Sequence, residues 1–459
     1  MVPSAPMRVA ASTVPVQSVF VPGIDVASSP DAFDGSMTLR FALDEPIETI
    51  ILAMPGLSGG AMGFAPLARR IVATTPGTAV WAIDRRANAL EDREAVTVAM
   101  RTGNVAPVIE TYLGTPSAPP TLREPTRESV RYLLDWNLDV HLHDLDAIVQ
   151  RARLEADRVI LLGHSLGASL AAVYAAWNGP NSTGQTHLDG LVLIDGSPGR
   201  TGALGLDDGI RLAGVPIGLP SRSALEAGRA DPWFPAGDAG RVFARRQAAA
   251  VLATLDPDGP APDAAGDVPL TNLAYAGLLH DEGYGFSTAL GVSMGRVVDA
   301  ELDGNLSAFL VAGRWGVRSA SVVGVANGAE RVSWERGDPG YERTDPREHL
   351  ADWAHPIADV AEWYMPVTLL LDLVALPPDL VNVPGFIPNR EVTLPTLAIG
   401  SDRGLLPDVA AFDGYAEQRQ GSAFSITIVE GLAHLDLLTA EVNPVVGLVA
   451  RWASLLPAR

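Results

Sequence analysis

The 459-residue chain contains no cysteine and no lysine. Without cysteine there are no disulfides, thiolate nucleophiles, iron–sulfur clusters or Cys-ligated zinc sites. Without lysine all 33 basic residues are arginine, which removes Schiff-base and pyridoxal-type chemistry and the phosphate-binding loop that needs its lysine. Nucleophilic chemistry is left mainly to Ser, Thr, Asp or Glu. Basic charge is also scarce beside 54 acidic residues, giving a net charge of −21. Such a chain repels phosphate backbones, so nucleic acid and anionic membrane are poor partners. Long apolar runs are missing too. The longest, Met365 to Leu376, is broken by Asp372 and stopped by Pro377 and Pro378, short of the ~20 residues that span a bilayer. The opening MVPSAPMRVAASTVPVQ has no continuous apolar region, so no signal peptide is expected. The reading is a soluble protein, cytoplasmic or exported with a signal already removed, of unknown oligomeric state.

What is present is apolar material for a large core, 47% of the residues. Short β-branched runs alternate with helical patterns, which predicts an α/β protein with a mostly parallel sheet. Strands are expected at Thr38–Ala42, Thr49–Ala53, Thr78–Ile83, Arg158–Leu162, Leu191–Ile194, Thr396–Ile399 and Ser425–Val429, with Val16–Phe20 as an eighth at the edge. Helices are expected at Met62–Val72, Asp139–Arg153, Leu166–Trp177 and Val446–Leu456. Residues 196–390 find no place in the sheet. They carry helical patterns at Gly240–Leu255, Thr271–His280 and His349–Leu376, the last broken at Pro356 and Pro366. Residues 1–195 and 391–459 therefore read as a core of roughly 260 residues, a single-domain size. Residues 196–390 read as an inserted, mainly helical cap. A smaller insertion lies between Ile83 and Arg158.

The stretch RVILLGHSLGASL, residues 158–170, ends an apolar strand on Gly163-His164-Ser165 and restarts as an Ala-rich helix. Gly163-x-Ser165-x-Gly167 between strand and helix is the context of a nucleophile elbow. The turn is tight enough that a side chain two residues before or after the serine would strike backbone. The serine hydroxyl is held at the carboxyl edge of the sheet, where open α/β sheets bind ligands. A serine needs a base. His164 is adjacent but diverges from the serine at such a turn. His141 and His143 open a polar helix, where a solvated or capping role is expected, and H-x-H on a helix points two ways rather than at one metal. His434, directly after the last strand, reaches the right edge. Its acid is Asp402, in PTLAIGSD, with Asp195, at the end of LVLID, as the rival. One oxyanion donor is the backbone N–H of Leu166. The other comes from the Gly-rich loop MPGLSGG, with Leu57 first by position and Ser58 second.

The segments MPGLSGG, VWAIDRRA, VILLGHSLGASLAAVYAAW, LVLIDG, PTLAIGSDRG and VEGLAHLDLL together resemble the α/β-hydrolase superfamily. The resemblance implies an eight-stranded sheet, Ser–Asp–His catalysis and no cofactor, and no metal is expected. It covers both halves of the core and not the cap. Three features depart from it. Pro55-Gly56 replaces the usual His-Gly of the oxyanion loop, Asp402 stands two rather than three residues after Gly400, and the cap is larger than most.

The expected activity is hydrolysis of carboxylic esters with apolar or bulky groups. Trp233-Phe234, Trp353, Trp363-Tyr364-Met365 and Leu369-Leu370-Leu371 are candidates to line the pocket, or to form the cap's own core. Amide, thioester or lactone cleavage and acyl transfer use the same residues. A catalytically silent binding protein on this scaffold is the remaining reading. It fits poorly with a serine, base and acid all present.

Overall fold

The computed structural model describes residues 13–457 except 181, 199–209, 213–214, 263–267, 285–290, 312–314, 327, 339–340 and 420–422. Its centre is an eight-stranded sheet: β1 (Val16–Pro22), β2 (Gly35–Phe41), β3 (Thr49–Met54), β4 (Thr78–Asp84), β5 (Arg158–His164), β6 (Gly190–Ile194), β7 (Thr396–Arg403) and β8 (Phe424–Ala433). All eight expected strands are there. The spatial order is β1-β2-β4-β3-β5-β6-β7-β8. β1–β2 and β2–β4 are antiparallel, and every later pairing is parallel.

The parallel centre explains the continuous apolar runs, since helices cover both faces. Alternate residues divide between the two faces. Ile50, Leu52, Val159 and Leu161 pack with α2 (Leu138–Arg153) and α3 (Leu166–Ala176). Ile51, Ala53, Ile160 and Leu162 pack with α1 (Ala65–Thr74) and the C-terminal helix Pro444–Ser454. Every residue of α3 is buried, and its small side chains let it lie against the sheet.

The chain leaves the sheet between β6 and β7. Helices occupy Ala239–Leu255, Asn272–His280, Pro346–Trp353 and Val367–Ala375, close to the expected positions. Between them lie strands the sequence reading did not anticipate. Ala300–Val311 pairs antiparallel with Trp315–Val325, and Arg296–Val298 with Ser333–Glu335. One hydrophobic cluster joins this excursion to the earlier one after β4: Tyr112, Leu133 and Trp136 share it with Phe243, Tyr275, Trp353 and Trp363. The excursion is also stitched to the loop after β3. Gly60 N–H donates to Val360 O (2.7 Å), Met62 N–H to Asp359 O (3.1 Å) and Glu362 N–H to Ser58 O (2.9 Å). Among the described residues no helix is long and apolar enough to cross a membrane.

Candidate active site

Ser165 sits between the end of β5 and the start of α3, at φ 57° and ψ −125°. This left-handed backbone is costly for a non-glycine residue and persists only where the surroundings impose it. The two flanking glycines show the imposition. A Cβ on Gly163 would stand 2.2 Å from Gly167 O, and one on Gly167 would stand 2.2 Å from Met54 O. Ser165 N–H donates to Ile194 O at 2.8 Å, which ties the bend to β6. Ser58 and Asp195 also have positive φ, 49° and 46°. Three strained residues thus follow three adjacent strands at one edge.

His434 follows β8 and is 3% exposed. Its Nδ1 lies 2.6 Å from Asp195 Oδ2. Asp195 is fully buried, and its carboxylate also accepts the N–H groups of Leu405 (2.7 Å) and Leu406 (2.8 Å). With three donors on it, this carboxylate is held in place, and the histidine proton is fixed on Nδ1. Nε2 is left to accept a proton.

The expectation that Asp402 serves His434 is corrected here, because the structure gives the histidine Asp195, the rival of the two acids. β7 does not stop at Ile399 but runs on to Arg403. Ser401 therefore points inward and Asp402 outward. The exposed Asp402 accepts Gly431 N–H at 2.7 Å. The segment around it contributes amides to the acid rather than the acid itself. A Cβ on Gly404 would come within 2.5 Å of Asp195 Oδ2.

His164 was set aside as a base, and the structure gives it different contacts. Its Nε2 lies 3.0 Å from His434 O, and the two rings are 4.3 Å apart. Burial, then the neighbouring His434, holds His164 well below the usual histidine range. It is neutral, so Nε2–H donates to the carbonyl. Its adjacency to Ser165 was the only sequence signal for this role. Among the described residues no hydrogen bond joins Ser165 Oγ to His434. Such bonds often tighten only with substrate bound.

The loop after β3 lies directly against the serine. A Cβ on Gly56 would be 2.8 Å from Ser165 Cβ and 3.3 Å from its Oγ. Neither Leu57 N–H nor Leu166 N–H donates to an acceptor among the described residues. Ser58 N–H is engaged by Met365 Sδ at 3.5 Å. The loop is held from behind by the buried Arg85, which donates to Pro55 O (2.8 Å), Gly56 O (2.9 Å) and Gly59 O (3.2 Å) and pairs with Glu362.

Of the candidate pocket residues, Trp233, Trp353, Trp363 and Tyr364 pack in the shared hydrophobic cluster. Met365, Leu369 and Leu370 pack in the cluster that also holds residues of α2 and α3. A small slot of about 20 Å³ lies beside Ser169 and Val173 of α3. Val173, Leu373, Leu376 and Leu380 line it. A cleft of about 750 Å³ is lined by residues such as Ser28, Arg131 and Tyr132 and includes none of the site residues. His141 is buried rather than solvated. Its Nδ1 lies 2.9 Å from Asn137 O, and burial lowers its pKa to about 3. Among the described residues no three His, Asp or Glu side chains are placed to hold a metal ion.

Comparison with known proteins bears on the fold. A family model described as alpha/beta hydrolase fold matches residues 49–221. No curated protein matches the chain. Among solved structures, a Sulfolobus solfataricus chain described as a candidate lipase superposes with a TM-score of 0.50 at 16% identity, covering 95% of this chain and 93% of that one. An esterase from Thermogutta terrifontis gives 0.39 at 11% identity, covering 95% and 98%. An esterase from Exiguobacterium antarcticum gives 0.39 at 12% identity, covering 95% and 98%.

Proposed function

We propose that the chain, whose residues 49–221 match the alpha/beta hydrolase fold, is a serine hydrolase of carboxylic esters, with Ser165 as nucleophile, His434 as base and Asp195 as acid. The observation that carries the reading is the 2.6 Å pairing of His434 with Asp195 at the sheet edge where Ser165 is held in strained backbone. His434 Nε2 takes the proton from Ser165 Oγ as the oxygen attacks the ester carbonyl carbon. The resulting oxyanion is received by the N–H groups of Leu57 and Leu166. Asp195 stabilises the imidazolium and does not itself take the proton. Collapse expels the alcohol, which leaves with the proton from His434. Water then repeats the sequence on the acyl-enzyme and releases the acid.

An ester with an apolar or bulky group is proposed from the sequence; the slot beside α3, about 20 Å³, is too small to receive it. The proposed division of the chain is a core of residues 1–195 and 391–459 and a cap of residues 196–390. The contacts of Glu362 and Met365 with the loop after β3 support a cap that reaches the site. The test is turnover of a panel of p-nitrophenyl esters, amides, thioesters and lactones by wild type and Ser165→Ala. Ester cleavage that disappears in the variant, with a fluorophosphonate label on Ser165, is expected. Unchanged activity in Ser165→Ala refutes the assignment. A panel led by amides, thioesters or lactones keeps the residues and replaces the substrate.

A further inference from the structure

In the loop between Pro55 and Gly60 the carbonyls of Pro55, Gly56, Ser58 and Gly59 are all tied down, whereas the Leu57 amide has no acceptor among the described residues. Arg85 Nη1 donates to Pro55 O at 2.8 Å, and Nη2 donates to Gly56 O at 2.9 Å and Gly59 O at 3.2 Å. Its Nε donates to Glu362 Oε2 at 2.8 Å. Both side chains are buried, Arg85 at 3% and Glu362 at 0% exposure. Glu362 closes the arrangement with its own N–H on Ser58 O at 2.9 Å. Glu362 Oε1 has no hydrogen-bond partner among the described residues, so the arginine is the principal compensation for that carboxylate. The planar guanidinium thus spends its fork on one carboxylate oxygen and three carbonyls, a task for which an ammonium has the wrong shape.

The consequence follows from peptide planarity. In a trans peptide unit the carbonyl and the following N–H point in opposite directions. The carbonyl of Gly56 and the amide of Leu57 belong to one such unit. With Gly56 O held on Arg85, the Leu57 N–H must face away from the arginine. Gly56 also lies against Ser165, close enough that a Cβ would stand 3.3 Å from Oγ. We propose that Arg85 is a positioning residue that sets the aim of the Leu57 amide at the developing oxyanion, with Glu362 bringing the 359–365 segment in as its counter-ion. The inference rests on the reading of Ser165 and Leu57 given above. It also explains how Pro55-Gly56 can stand at this loop: orientation comes from behind, through the carbonyls.

The experiment compares wild type, Arg85→Lys, the charge-neutral pair Arg85→Gln/Glu362→Gln, and Ser165→Ala on one p-nitrophenyl ester. Active sites are counted with a fluorophosphonate, and thermal midpoints are recorded. Arg85→Lys is expected to lose about 100-fold in kcat with KM within about twofold, as for a group misplaced by an ångström. A trifluoromethyl ketone, which forms a hemiketal oxyanion on the serine, should lose affinity by the same factor as kcat/KM. The double variant should lose as much, and it carries the test if Arg85→Lys does not fold. Full kcat per active site in either folded variant, or a loss of kcat with unchanged ketone affinity, overturns the proposal. Activity that survives in Ser165→Ala overturns the reading beneath it. Activity that depends on Ser165 but ignores Arg85 overturns the positioning role alone.

Discussion

Replacing Asp195 and Asp402 in parallel separates the two acids sharply. The Asp195 carboxylate accepts three N–H donors on two oxygens: His434 Nδ1 and Leu405 N–H on Oδ2, and Leu406 N–H on Oδ1. Asparagine offers one acceptor oxygen and one NH₂ group. If its oxygen takes the Oδ2 place, the NH₂ faces the Leu406 amide and the imidazolium loses its counter-charge. If its NH₂ takes that place, it opposes the Leu405 amide and drives the histidine into the tautomer with its proton on Nε2, where it cannot act as a base. Either orientation orphans one buried amide, at about 1–3 kcal/mol of stability. The activity loss should be of order 10³- to 10⁴-fold in kcat, or about 4–5 kcal/mol in the barrier. Asp402→Asn keeps the carbonyl oxygen that Gly431 N–H uses, in an exposed position, and should stay within about threefold. Steady-state kinetics on a p-nitrophenyl ester, normalised to fluorophosphonate-titrated sites, reads both. Asp402→Asn falling as far as Asp195→Asn, or Asp195→Asn retaining full kcat, would refute the assignment.

Two further outcomes follow from buried groups near the site. His164→Phe keeps the ring and removes the N–H that holds His434 O. Losing one neutral hydrogen bond of about 1 kcal/mol should lower kcat roughly fivefold without altering the shape of the pH–rate profile; an unchanged kcat would show that the contact is packing alone. Asp84 accepts Ala61 N–H at 2.5 Å, and burial pushes its pKa from 3.8 up to about 7. The folded state then keeps a proton the unfolded state has released. The resulting stability is present below about pH 4 and is lost as pH rises through 7. Asp84→Asn should flatten the decline in denaturant-derived stability between pH 5 and 8 by up to about 1.4 kcal/mol per pH unit. Parallel curves for the two proteins would contradict it.

The sheet was legible in the sequence because its strands are short, β-branched and bounded, and because burial on both faces erases alternation in a recognisable way. The serine bend was legible for a steric reason, since Gly163 and Gly167 stand where only glycine fits. The hydrogen-bond partner of His434 was misread because a strand end was placed four residues early. Reading β7 as ending at Ile399 placed Asp402 in a loop, whereas the strand continues and turns that side chain outward. The strands between Arg296 and Glu335 were missed because they pair only with each other, beyond the sheet's rhythm of strand and helix. The work of Arg85 was invisible from the chain. Its partners are carbonyl groups, which every residue carries, and a glutamate 277 positions away.

The cluster that Tyr112, Leu133 and Trp136 share with Phe243, Tyr275 and Trp363 has an architectural consequence. The two excursions from the sheet depart at different strands yet have a single interior between them. Neither is a detachable module. Trimming one would lay bare the apolar side of the other, so the two stand or fall as one piece.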